Sequence, residues 1–199
     1  MDSRSIADSY MPVFGMMCVI IFTIGWVGGA IAWGHWVLGQ NALSDLGVCG
    51  NQTAELLFGL GCAFSGIFGL FFGLGMLDEK GLYKTYGAFV ILACVSLICI
   101  GVVDESYGDL HMYTAGTYAV FALLSIIVSA VAEYVDGRRY MTYIAAAVLI
   151  ALLIICLTTR FEVFEPIASV IVLAWTFSQA VKFMNLHREW FTFPSIGRS

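Results

Sequence analysis

Apolar positions in this chain come in six long, nearly unbroken runs, at 11–34, 56–77, 85–103, 112–132, 140–158 and 166–184. A hydrocarbon core of about 30 Å needs roughly 20 helical residues, and each run is close to that length. Membrane β-strands would instead alternate apolar and polar positions over about ten residues, which these segments do not do. The pattern predicts an all-α fold, a polytopic integral membrane bundle of six transmembrane helices forming a single domain over residues 1–199. Lys182 falls near the end of the last run, where its long stem can carry the ammonium to the interface.

The connections differ sharply in character. "DEKGLYK" and "EYVDGRRY" read as ordinary short, charged turns. "NALSDLGVCGN" (41–51) and "DESYGDLH" (104–111) are different, because they place acids, an asparagine and a histidine against apolar runs without a neighbouring base. Within the second run, Gly59, Gly66 and Gly73 recur every seven residues, and Gly69 joins Gly73 in a small-xxx-small pair, as Gly25 joins Gly29 in the first run. Such strips let backbones approach closely, which matters in lipid, where apolar contact alone supplies no driving force. They predict close packing within the chain around a central second helix, with a dimer face as the other use of the seam.

Composition agrees with the pattern. Hydrophobic residues make up 60% of the 199 positions and charged residues 12%, with a mean hydropathy of +0.90. A soluble domain averages about 45–50% apolar and about 25% charged, so the solvent of this chain is lipid. The net charge of -5 says little about nucleic acid, but the nine basic residues form no patch, and no nucleic-acid partner is expected. The bases sort by side: Arg4, Lys80, Lys84, Arg138, Arg139, Lys182, Arg188 and Arg198 fall with the termini and the even-numbered loops, and Arg160 alone with the odd-numbered ones. Eight against one predicts a multi-pass protein of the cell membrane with both termini cytoplasmic. The outer loops then carry Asp45, Glu55, Asp104, Glu105, Asp109, Glu162 and Glu165, with His35 and His111. "AIA" at 30–32 resembles a cleavage site, but the first apolar run is too long for a signal peptide and is expected to be retained. The six cysteines form no CxxC pair and read as small hydrophobes. Asn51-Gln52-Thr53 is a formal glycosylation sequon, too close to the membrane to be expected as modified.

Asn41, Ser44 and Asp45 stand at i, i+3 and i+4, on one face if the stretch is helical. Asn51 or Thr53 can cap the second helix, with Glu55 in its first turn. Asp109 two residues before His111 can orient the ring or share a cation with it, or simply begin the fourth helix. These residues form the expected ligand-binding set: Asn41, Ser44, Asp45, Asp104, Asp109 and His111. The catalytic candidates are His111 as proton carrier, Asp45 or Asp109 positioning it, and Ser44 as the hydroxyl of a Ser–His–Asp arrangement. Asp45, Asp109 and His111 have the chemistry of zinc ligands, without an HExxH or a second histidine at ligand spacing. No cofactor is named by any motif.

"NALSDLG" followed by Asn51, by Phe58 in a glycine-rich second span and by a histidine opening the fourth span resembles the domain of unknown function 998 family. That family comprises small six-span membrane proteins found mainly in archaea and bacteria. The specific part of the resemblance is Asn41, Ser44, Asp45, Leu46, Gly47 and His111; the family's Phe-Pro before the histidine is absent here. The resemblance implies the six-span architecture and an outer polar site. It also implies similarity to eukaryotic six-span proteins of lipid remodelling and membrane lipid organisation, while naming no reaction. The functional expectation is an outward-facing polar, acidic site for a lipid headgroup, a small polar molecule or a cation. An enzyme built on it would be a lipid hydrolase or headgroup transferase. The alternative is an accessory subunit or scaffold in which the seam and Trp33, Trp36, Trp175 and Trp190 serve only packing and anchoring. Membrane lipids are the expected partners, and a homo-oligomer or larger membrane complex fits either class. Transport is disfavoured by the lack of an inverted repeat, a broken helix or a mid-span charge.

Overall fold

A computed structural model describes residues 6–186. Arg4, Arg188, Trp190 and Arg198 lie outside the described residues. The described chain is helical, with no strand, and runs as α1 (Ile6–Trp33), α2 (Gln52–Met76), α3 (Tyr83–Ile100), α4 (Asp109–Val135), α5 (Arg139–Thr158) and α6 (Phe161–Leu186). All six are long and apolar enough to cross a membrane. Because consecutive helices reverse direction, loop one (34–51), loop three (101–108) and the 159–160 turn share one end of the bundle.

Glycine decides which helices touch. A Cβ added to Gly61 would lie 2.8 Å from Gly25 Cα, so α1 and α2 cross with backbones in contact. On the opposite side of α2, a Cβ at Gly66 would stand 2.6 Å from Ile98 Cγ1 and 2.8 Å from the Cys94 carbonyl. One at Gly73 would stand 3.0 Å from the Gly87 carbonyl, and one at Gly59 3.0 Å from that of Gly101. The seam at 59, 66 and 73 therefore seats α3, and Gly69 faces the cysteine pair Cys18 and Cys94. Where its glycines meet them, α2 approaches both neighbours at distances that only glycine permits.

In α6 and α4 the turns beyond the apolar runs matter. α6 begins at Phe161, five residues before Pro166, so Glu162 and Glu165 are helical and not loop residues. Proline is tolerated near a helix N-terminus because few intrahelical bonds are lost there, and its ring does not mark the start. α4 continues to Val135, which takes Glu133 into the bundle.

That extension corrects the reading of "EYVDGRRY" as an ordinary turn. Glu133 is fully buried. Its two oxygens each receive one base, Arg138 Nε at 2.5 Å and Lys182 Nζ at 2.5 Å. Arg138 also donates to the Tyr83 hydroxyl and to Asp136, while Lys182 donates to Gln179 Oε1 and lies over the Tyr83 and Phe183 rings. Lys182 thus turns inward and does not snorkel. Charge that would be costly alone is compensated by opposite charge and hydrogen bonds, and the network ties α3, α4 and α6 together at the end remote from loop one. Higher in the same interface, Trp175 Nε1 donates to Ser129 Oγ.

Candidate functional site

Loop one is folded, not splayed. Gly34 turns the chain out of α1, Trp36 Nε1 donates to the Ala42 carbonyl, and Leu43 and Leu46 are buried against Phe22, Phe58, Cys62 and Leu97 as a plug on the bundle. A single turn of 3₁₀ helix, Ser44–Gly47, carries the polar residues. Asn51 is the cap of α2: its side-chain oxygen accepts from the amides of Thr53 and Ala54. Its Nδ2 donates to the Ala32 carbonyl, which fixes the start of α2 against the end of α1.

The structure keeps Asn41 with Asp45 and sets Ser44 apart from both. Helical geometry starts only at Ser44 and is 3₁₀, so the i, i+3, i+4 alignment of an α-helix does not arise. Asp45 Oδ2 accepts from Asn41 Nδ2 at 3.2 Å and from the Ala42 amide at 3.0 Å, and Asn41 Oδ1 accepts from the Val37 amide. These two residues satisfy each other and shape the loop, the usual local use of Asx side chains. Ser44 points elsewhere. Its hydroxyl donates to Glu165 Oε2 at 3.2 Å, and the same oxygen accepts from the amides of Leu43 (2.7 Å) and Ser44 (3.4 Å). Glu165, reaching in from α6, is the anchor of loop one.

Loop three brings His111 to the same end. Asp104 caps the short turn Glu105–Tyr107 by accepting from Ser106 N and Oγ through Oδ1. Gly108, at φ 56°, holds the cap position of α4 in a conformation that L side chains rarely adopt, and leaves Asp109 as the first helical residue, exposed to solvent. His111 is only 5% exposed. Its Nδ1 lies 2.7 Å from the Val103 carbonyl; a carbonyl only accepts, so Nδ1 donates this bond, and Nε2 is the acceptor nitrogen of the tautomer that the bond selects.

Between these loops lies a cavity of about 270 Å³, walled by the 3₁₀ turn of loop one, the first turns of α2, the end of α3 and the start of α4. Ser44, Gln52, Glu55, Asp104 and His111 form its polar wall, and Leu56, Phe58, Leu60 and Ile100 its apolar wall. Gly59 and Gly101, in backbone contact, also line it. Leu56 and Leu60 are 55% and 51% exposed, so one side of the cavity borders the surface of α2 that faces lipid.

Of the expected set, Ser44, Asp104 and His111 therefore line one cavity, while Asn41, Asp45 and Asp109 do not. No hydrogen bond or ion pair joins Asp45 or Asp109 to His111 among the described residues. The Ser44 hydroxyl is given to Glu165 and not to His111, so the Ser–His–Asp arrangement is not formed. Nor do Asp45, Asp109 and His111 make a metal site: among the described residues no group of three or more His, Cys, Asp or Glu is placed to hold an ion. Three residues escaped the sequence reading. Glu165 is separated from Ser44 by 121 positions and gave no local signal. Glu55 does serve as the first-turn acid of α2, its Oε1 accepting from the Gly50 amide at 2.8 Å, yet it also lines the cavity with Gln52.

The family model described as protein of unknown function DUF998 matches residues 16–182. The chain belongs to the DUF998 family. No curated protein and no solved structure matches it. The matched range of this DUF998 protein takes in loop one, loop three, His111 and Glu165, so every residue of the cavity wall lies inside the family region.

Proposed function

We propose that this DUF998 protein is a multi-pass protein of the cell membrane with both termini cytoplasmic, and that its outward cavity binds the polar headgroup of a membrane amphiphile. The observation that carries the reading is the two-sided wall of that cavity. Polar groups from loop one, α2, loop three and α4 meet there, next to leucines on the lipid-facing side of α2. A water-soluble ligand has no use for the leucines, and a purely apolar one would strip water from His111 Nε2 and from the second oxygens of Asp104 and Glu55 without offering a hydrogen bond, at a cost of about 1–3 kcal/mol for each group so desolvated. A headgroup with its chain leaving between Leu56 and Leu60 satisfies both sides. Asn41, Asp45 and Glu165 hold loop one over the cavity, and Ser44 stands at the junction of loop and cavity. The orientation rests on the basic residues, eight of nine of which fall with the termini and the even-numbered loops.

The test is thermal unfolding of the purified chain in a neutral maltoside detergent, with and without added membrane lipid extract. Ligand at about 100 times Kd stabilises a fold by about 2.7 kcal/mol, which raises the midpoint by several degrees. The shift is expected for the natural chain and absent for His111→Phe and Gly47→Leu, which crowd the cavity. Equal shifts in all three proteins would mean that lipid acts on the bundle surface, and the scaffold reading would replace this one.

A further inference from the structure

Resting on that reading, we propose that the headgroup taken by the outer cavity is a primary ammonium group, bound by three acceptors that the protein leaves free. The wall is unbalanced in its chemistry. It contains no lysine and no arginine, and the two carboxylates of Glu55 and Asp104 give it a formal charge of −2. Each carboxylate uses one oxygen for structure. Asp104 Oδ1 caps the 105–107 turn, and Glu55 Oε1 accepts the Gly50 amide. The second oxygen of each, Asp104 Oδ2 and Glu55 Oε2, has no protein partner among the described residues. The third acceptor is His111 Nε2. This ring is more than nine-tenths buried, its proton is committed to the Val103 carbonyl through Nδ1, and its other nitrogen is unpartnered on the cavity wall.

Three unpartnered acceptors on one wall call for donors, and a primary ammonium has three N–H groups and one positive charge. The other polar groups are consistent with this. Ser44 spends its proton on Glu165 and so also presents lone pairs. Gln52, which can donate, stands at the exposed first position of α2, where it can meet a neutral or anionic group further along the ligand. A phosphate or carboxylate head placed deep in the cavity would face two carboxylates and an imidazole lone pair. Like charge disfavours it, as unmatched donors and acceptors disfavour a wrong ligand in any built site. A quaternary ammonium matches the charge but has no N–H to give.

The experiment uses the full chain in a neutral maltoside and measures competition among single-chain amphiphiles of equal length below their micellar concentrations. The heads are primary ammonium, trimethylammonium, phosphate and maltoside, and a short-chain primary amine is added as a soluble comparison. The primary ammonium amphiphile is expected to bind at least tenfold more tightly than the other three. Asp104→Asn and Glu55→Gln each keep the structural acceptor while turning the free oxygen into a donor. They should therefore leave helical content unchanged and weaken the primary ammonium tenfold or more, with little effect on maltoside. Tightest binding of the phosphate or maltoside head overturns the ammonium assignment and leaves the headgroup cavity standing. Equal binding of the trimethylammonium head overturns the three-acceptor argument. If the short-chain amine binds as tightly as the long one, the ammonium site is supported and its lipid source is overturned. If no amphiphile competes, both this inference and the reading beneath it fall.

Discussion

Glutamine in place of Glu133 removes a negative charge from between two cations without changing side-chain volume. Glu133 is fully buried, and its contacts to Arg138 and Lys182 are each 2.5 Å. Arg138 keeps Asp136 and the Tyr83 hydroxyl, and at 26% exposure it can recover water. Lys182 loses the negative charge that faces it, keeping neutral acceptors and the faces of two rings, and its side chain is 9% exposed. Breaking a buried pair by removing one partner costs about 3–5 kcal/mol, and Glu133→Gln should fall in that range. Lys182→Met should cost less, about 1.5–3 kcal/mol, because Glu133 still holds Arg138. The double replacement Glu133→Met with Lys182→Met should recover most of the loss, since an apolar pair of similar volume carries no desolvation penalty. Equilibrium unfolding in mixed micelles, followed by far-ultraviolet circular dichroism, gives all three values. Should Glu133→Gln prove no worse than Lys182→Met, or the double variant lose more than Glu133→Gln alone, the network would be dispensable and the bundle held by packing alone.

Three further outcomes follow from the same structure. Gly66→Leu should lower stability by about 1–3 kcal/mol, because even its Cβ would stand 2.6 Å from Ile98; an unchanged melting point would mean that α3 is not seated there. Glu165→Leu removes the acceptor of three hydrogen bonds, so the amides of Leu43 and Ser44 should exchange with deuterium at least tenfold faster, while those in the middle of α2 keep their protection. Unaltered exchange at 43 and 44 would show that loop one does not depend on α6. In a background without native cysteines, a cysteine at Gly108 should react with an impermeant reagent on intact cells and one at Gly137 should not; the reverse would invert the orientation.

The fold was legible because each helix is written locally. Six apolar runs of membrane length need no knowledge of partners, and the glycines at 59, 66 and 73 announce a close contact by their spacing alone. Asn51 as the cap of α2 was readable for the same reason. What could not be read depends on residues brought together from afar. Glu165 meets loop one across 121 positions and Lys182 meets Glu133 across 49, and no pattern within a span registers either. A usable signal did exist for the second pair, since acid and base of opposite sign stand at similar depth at the same end of two spans. At the cavity, His111 and Asp104 were visible as ionisable groups at the membrane edge. Asp45 drew equal attention for the same reason, but backbone donors three residues away and Asn41 are nearer than any partner across the bundle, and the local bonds win. The start of α6 was misplaced because Pro166 resembles a beginning, although a helix can carry proline in its early turns.

The central claim is that one amphiphile occupies the cavity between loops one and three, and native mass spectrometry of protein extracted gently from its own membrane addresses it most directly. A Cβ at Gly47 would lie 3.5 Å from Asp104 Cβ and 3.7 Å from Phe58, so Gly47→Leu adds its bulk to the cavity without forcing the backbone. The natural chain should carry one retained adduct of lipid mass, and Gly47→Leu should carry none while keeping its helical content. An unliganded natural chain, or an adduct retained equally by both proteins, would contradict the account.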